Sequence, residues 1–198
     1  MQYVLTQKRL TPELMCEDIS GFTDKISQLC ELLDMDLTEL EIDHIAMRIN
    51  DLDTTQAVHQ VWMRQGQVIS ESLIHGRPII VIELTQPLKL GQWQTKYLEL
   101  PYPAEGKHYP VEGWEHVEFV IPSTALTADV FFAELCRKFP RMKDNAKKHH
   151  IQIKQSSPQA EGERLVNPTI AFKWNHVCIK LHPNSLKDVI ASEQSLHE

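Results

Sequence analysis

The sequence predicts an α+β protein: paired βαβββ modules forming an open, curved, barrel-like sheet, with an N-terminal helical extension in front of them. Three observations carry this. The segment His44–Ile49 (HIAMRI) is echoed by His116–Ile121 (HVEFVI), each opening with a histidine and alternating afterwards. After each echo comes a helix-like stretch and then two or three strand-like stretches, ending near residues 97–100 (YLEL) and 176–182 (HVCIKLH). Ahead of both lies a stretch with helical rather than alternating periodicity. A repeated unit of this size implies two copies of one supersecondary module. A histidine at the head of both copies points to a site built between them.

The elements follow in order. Thr11, Pro12 and Glu13 form a helix start: a capping hydroxyl, proline at the first helical position, then an acid. Ile19, Phe22, Ile26, Leu29 and Leu33 continue at helical spacing, and Cys30 joins that stripe as a core residue. Residues 1–40 are therefore a helical extension, with one more helical turn expected at Thr38–Glu41. Residues 41–103 make the first module. It starts with a strand from Ile42 to Ile49, followed by a helix that a capping-box pair, Asp53 and Gln56, would begin and Gly66 would end. Strands are expected at Gln67–Leu73, Ile79–Leu84 and Gln94–Leu100, with a turn at His75–Pro78. Residues 101–106 (PYPAEG) are rich in breakers and separate the modules. Residues 104–198 make the second module: a strand at Glu115–Ile121, a helix at Leu126–Lys138, and strands at Ile151–Gln155, Thr169–Trp174 and His176–Leu181. The polar stretch Gln155–Asn167 is expected to be a long hairpin loop. The whole is one compact domain, for which 198 residues suffice to bury a core without staples.

A formal net charge of -7 argues against a nucleic-acid backbone as partner, since that requires a basic stripe. No run approaches a membrane span, and Met1 is not followed by a signal-peptide apolar core. Cys16, Cys30, Cys136 and Cys178 form no C-x-x-C pair, which argues against a zinc knuckle or redox dithiol. They are expected as free thiols in a reducing cytoplasm.

Side chains alternate faces along a strand. His44, Ala46 and Arg48 therefore oppose Ile45, Met47 and Ile49; His116, Glu118 and Val120 oppose Val117, Phe119 and Ile121. In the last strand His176, Cys178, Lys180 and His182 oppose Val177, Ile179 and Leu181, and Tyr97 and Glu99 oppose Leu98 and Leu100. The apolar faces should pack on the helices. The plain reading of each polar face is solvent, as in many antiparallel sheets. Four such strands in two matching modules favour a polar concave site instead. On it, Arg48 and Glu83 either bind an anionic substrate or pair with each other. Cys178 is a buried, inert thiol by default. His149 and His150, after two lysines, read as a solvated edge.

The tandem βαβββ order, a histidine opening both modules and Glu99 in the last strand of the first resemble the vicinal oxygen chelate superfamily, which includes glyoxalases, epimerases, extradiol dioxygenases and bleomycin-resistance proteins. The phrases Ile42–Arg48 (IDHIAMR) and Gly113–Val120 (GWEHVEFV) are similar to the small YecM family of bacterial proteins, over nearly the whole chain. The resemblance implies metal binding with an activity it does not specify. Carried over by position, it implies metal ligands at His44, Glu99 and His116. The fourth place falls on Lys180, where the superfamily has a carboxylate, and an ammonium has no lone pair to offer a cation. Two histidines and one carboxylate suit zinc or iron(II) with open positions. Glu118, on the face of His116, is a substitute ligand, a general base or the ion-pair partner of Lys180. Lys180 is an ion-pair partner or a Schiff-base nucleophile. His182 becomes a ligand or substrate contact if the last strand shifts register by two.

The function expected is therefore binding of a divalent metal that polarises a small oxygenated substrate or stabilises its enolate, in isomerisation, epimerisation or dioxygenation. The alternatives are a metal-free module that sequesters a small ligand, and an interaction domain with a vestigial site.

Overall fold

The computed structural model describes residues 2–74, 76–157 and 165–194. Two helices, α1 (Gln2–Gln7) and α2 (Pro12–Leu33), precede the first strand. Thr11 caps α2 by accepting the Leu14 N–H at 3.4 Å, and Asp34 ends it in the left-handed region. The α2 stripe buries Phe22, Ile26, Leu29, Cys30 and Leu33. Residues 38–39 form a simple turn rather than the expected helical one: the Asp36 carboxylate accepts the Thr38 N–H at 3.0 Å and the Leu40 N–H closes on the Leu37 carbonyl at 3.1 Å.

The first module runs β1 (Ile42–Arg48), α3 (Leu52–Trp62), β2 (Gly66–Ile74), β3 (Arg77–Leu90) and β4 (Trp93–Pro101). The second runs β5 (Gly113–Val120), α4 (Ala128–Lys138), α5 (Met142–Lys148), β6 (Gln152–Ser156), β7 (Thr169–Trp174) and β8 (Val177–His182), and α6 (Leu186–Gln194) follows. The Asp53–Gln56 capping box is not used. Asp51 caps α3 instead, accepting the Thr54 N–H at 2.7 Å, so the helix starts one residue before Asp53. Helices α5 and α6 were not expected; both are short, and α6 opens on a Ser185–Asp188 capping box and carries the apolar stripe Leu186, Val189 and Ile190. Of the expected hairpin loop, Gln155 and Ser156 belong to β6, and 158–164 lie outside the described residues, as does His75 of the expected turn.

The eight described strands form one mixed sheet in the order β2-β3-β4-β1-β5-β8-β7-β6. The order is symmetric about the antiparallel β1/β5 junction, and β1/β4 and β5/β8 are the equivalent parallel pairs. The sheet is open rather than closed into a barrel. Ile45, Met47, Val117, Phe119, Ile179 and Leu181 face the core on its convex side, where α2 packs across β3, β5 and β8. Each such side chain, fully buried, contributes about 2 kcal/mol. Tryptophans tie the extension down: Trp114 Nε1 donates to the Met15 carbonyl at 2.8 Å and Trp93 Nε1 to that of Leu37 at 3.0 Å. At Gly66 β2 lies so close to β3 that a Cβ would collide with the Glu83 carbonyl. The concave side, lined by β1, β5, β8 and their neighbours, carries the site.

Candidate functional site

Two bulges set the geometry. Along β1/β5 the register steps between Ile42 and His44, and again between Ala46 and Met47, where Trp114 rather than Glu115 is the next partner. The extra residues are Asp43 on β1 and Glu115 on β5, one per strand, placed symmetrically about the junction. A bulge breaks strict alternation, so each acid turns to the side of the histidine that follows it. His44 Nδ1 lies 3.0 Å from Asp43 Oδ2, and His116 Nδ1 lies 2.6 Å from Glu115 Oε2. His182 Nδ1 lies 2.6 Å from the Asn184 carbonyl. Carboxylates and carbonyls only accept, so each Nδ1 carries the proton and each Nε2 faces inward. The Asp43 carboxylate also accepts the Leu186 N–H at 3.0 Å, tying the start of α6 to the site.

The inward atoms converge. His44, Glu99, His116 and Glu118 each offer an atom within 4.8 Å of the others, as do Asp43, His44 and His182. Glu118 is central: its Oε1 lies 3.2 Å from His44 Nε2 and 3.1 Å from His116 Nε2, its Oε2 3.3 Å from His182 Nε2. Glu99 stands further back, 3.6 Å from His44 and 3.7 Å from His116. All three histidines are buried. Lys180 Nζ donates to Glu118 Oε1 at 2.6 Å and to His116 Nε2 at 2.9 Å.

Electrostatics follow from this packing. Burial works against charge on every group, and neighbours then decide. Burial opposes a charged His44, but Glu118, Asp43 and Glu99 outweigh it and raise its pKa well above the usual value. Burial pushes His182 down, against Glu118 and Asp43. Burial would raise Glu99 and Glu118, yet His44 and Lys180 hold both low, Glu99 at about 2. Lys180 rises despite burial because Glu118 and Glu99 face it, so it is an ammonium at neutral pH and unsuited to Schiff-base attack. Burial raises the Cys178 thiol to about 12, which leaves it inert.

The donor set fits a divalent cation. The Nε2 atoms of His44 and His182 are buried without a hydrogen-bond partner, while their Nδ1 atoms are engaged. A carboxylate or carbonyl on one ring nitrogen with the other aimed inward is how metal-ligating histidines are oriented; on His44, whose pKa is raised, the inward nitrogen gives up a proton on binding. Asp43, Glu99, Glu115 and Glu118 also outnumber the adjacent fixed cations, Arg48 and Lys180. The ammonium of Lys180 competes, since it takes one atom each of Glu118 and His116.

Of the expected site residues, His44, Glu99, His116 and Glu118 come together around one point, Lys180 is bonded to two of them, and His182 joins from the side through Glu118 Oε2. Arg48 lines the same cavity, of about 490 Å³, but does not pair with Glu83; its Nη2 donates to Glu115 Oε2 at 2.8 Å. Glu83 shares the concave face with Val81 but lies one step further along β3. There it meets Tyr97 Oη and Gln67 Nε2, both at 3.3 Å, away from the cavity lining. The separation arises because α6 closes that end of the face, with Leu186, Val189 and Ile190 in the cavity wall and the Lys187 ammonium 5.2 Å from the Tyr97 ring. His149 and His150 lie at the end of α5, directly before β6, the edge strand of the sheet, with His149 half-buried and His150 exposed, in keeping with the solvated edge expected for them. The sequence reading missed Asp43, Glu115, Asn184 and Arg77. An acid immediately before each repeated histidine was the available signal for the first two.

Comparison with known proteins gives a consistent result. A family model described as YecM protein matches residues 11–193. Protein YecM of Escherichia coli strain K12 is 36% identical over 182 residues, covering 91% of this chain and 93% of that protein. An uncharacterized protein of Haemophilus influenzae is 34% identical over 194 residues, with 91% and 93% covered. The solved structure of a structural-genomics target, Protein EC4020, superposes with a TM-score of 0.78 at 32% identity, covering 94% of this chain and 96% of that one.

Proposed function

The chain belongs to the YecM family, and we propose that it binds a divalent metal ion at the concave site and acts there on a small oxygenated substrate. The observation that carries this reading is the convergence of the His44 and His116 Nε2 atoms with the Glu99 and Glu118 carboxylates, with His182 on the far side of His44 and every Nδ1 anchored from behind. His44, His116 and Glu99 would hold the ion, with Glu118 or His182 completing the set; zinc or iron(II) suits such donors. A bound ion there would polarise a substrate carbonyl. Asp43 and Glu115 fix the tautomers of the two histidines and raise their basicity as ligands. Lys180, released from Glu118, would place an ammonium beside the substrate oxygen and donate a proton or hydrogen bond to it. Glu118, freed in the same movement, would take a proton from the substrate; its ionised state at neutral pH suits a base, although its low pKa makes it a weak one. Arg48 would contact the substrate from the cavity wall. Isomerase, epimerase and dioxygenase chemistry all fit these roles.

A second reading, a metal-free ligand-binding module, draws on Lys180, which bridges Glu118 and His116 as a built-in cation. Zinc titration decides between the two. Stoichiometric zinc binding by the untagged protein that His44→Ala abolishes supports the metal reading. Unchanged zinc affinity in that variant refutes the assignment, and no binding by the parent protein favours the second reading.

A further inference from the structure

The cavity lining carries more cations than its carboxylates balance. Glu99, Glu115 and Glu118 line it with His44 and His182. Arg48, Arg77, Lys107, Lys154 and Lys173 line it too. Counting Lys180, six cationic side chains line a cavity with three carboxylates, in a protein whose net charge is -7. A basic cavity in an acidic protein focuses anions towards itself.

Within that lining Arg48 is buried with donors left unmet. It is 8% exposed, and only Nη2 is engaged, on Glu115; its Nε and Nη1 are buried without partners. Unmet donors on a buried guanidinium are costly, and they point to an absent acceptor. Arg48 is also held in place. Its guanidinium lies 4.7 Å from the centre of the Tyr109 ring. Tyr109 is itself pinned, because Asn50 accepts its N–H at 2.8 Å and donates to its carbonyl at 2.9 Å. Arg77, half-buried, lines the same cavity, and among the described residues it has no ion-pair partner. Burial and the neighbouring Arg48 push its pKa down, a strain that an anion between the two guanidiniums would relieve.

We propose that Arg48 and Arg77 form an oxyanion subsite, so that the substrate is a small oxygenated acid carrying a second, remote anionic group. Guanidiniums suit carboxylate and phosphate alike, through paired N–H donors. This deepens the metal reading and rests on it for the chelating end of the molecule. The two ends are close: Arg48 Nη2 reaches the His116 ring through Glu115 alone. The substrate is therefore compact, with a short carbon spacer between the chelating oxygens and the anionic terminus.

Calorimetric titration at low ionic strength tests this with 2-hydroxyglutarate and 2-hydroxypentanoate, which have the same carbon chain and differ only in the terminal carboxylate. Zinc-loaded protein should bind the diacid at least tenfold tighter. Arg77→Gln should reduce that preference to threefold or less, and a folded Arg48→Gln should do the same. Erythronate 4-phosphate, titrated alongside, identifies the head group: tighter binding than the diacid assigns a phosphate, weaker binding a carboxylate. Zinc affinity is measured separately. If zinc does not bind, the metal reading fails, and the same pair titrated on metal-free protein still decides the subsite. Equal binding of diacid and monoacid, a preference that survives Arg77→Gln, or no binding of the diacid to either form overturns the proposal.

Discussion

Replacing Lys180 with methionine should tighten zinc binding and weaken the metal-free protein. The Lys180 ammonium holds Glu118 Oε1 at 2.6 Å and His116 Nε2 at 2.9 Å, so both atoms must be released before an ion can take them. Hydrogen bonds to charged groups contribute about 1.5–3 kcal/mol each. Lys180 keeps 26% side-chain exposure, so water recovers part of that when the chain swings out. A net cost of about 3 kcal/mol to metal binding is reasonable, and its removal corresponds to about a hundredfold lower zinc dissociation constant. Methionine keeps the length and apolar stem but has no charge to repel a dication. The price is Glu118, left among the histidines without its main counter-charge. Unfolding of the metal-free variant should therefore begin at lower temperature, and zinc should more than restore it. Competition against a chromophoric zinc chelator gives the affinities, and thermal unfolding with and without chelator gives the stabilities. Lys180→Glu, which supplies a carboxylate, should tighten binding at least as much. Unchanged or weaker zinc affinity in a folded Lys180→Met protein would mean that Lys180 does not compete for the ion.

Other consequences are open to measurement. Zinc must displace the proton that Glu118, Asp43 and Glu99 hold on His44, whose pKa is raised above 6.5. In the metal-free protein the His44 ion pairs contribute stability that is present below pH 6.5 and lost as pH rises through the raised pKa. The gap between zinc-loaded and metal-free melting temperatures should therefore widen from pH 6 to pH 8; a constant gap would show that His44 is not a ligand. Glu115→Gln keeps an acceptor for His116 but removes the charge shared with Arg48, and should weaken zinc binding about 10–100-fold in the same competition assay. Gly66→Ala places a methyl against the Glu83 carbonyl and should destabilise by about 1–3 kcal/mol in denaturant titration, without altering zinc stoichiometry.

Much of this protein can be read from local pattern. The doubled βαβββ order, the α2 stripe and the inward faces of β1, β5 and β8 all follow from periodicity, which depends only on backbone geometry and on which side chains avoid water. The same alternation puts His44, Glu99, His116, Glu118 and Lys180 on one face, and the Lys180–Glu118 pair was foreseeable from it. Alternation is also what hid Asp43 and Glu115. Strict period two sends both acids to the convex side, and only the two bulges in the β1/β5 register bring them back behind their histidines. A bulge is a property of two paired strands, and neither strand alone announces it. The partner of Arg48 was misjudged for a related reason. Glu83 shares its face, but α6, whose Ser185–Asp188 capping box and Leu186, Val189, Ile190 stripe mark a helix without saying where it docks, sets Glu83 apart with Tyr97 and Lys187, and the bulge delivers Glu115 instead. The sequence by itself determined which residue types line the concave face. Which of them touch was decided by strand register and by a helix docked from the far end of the chain, because contact energies between distant segments exist only once the sheet has formed.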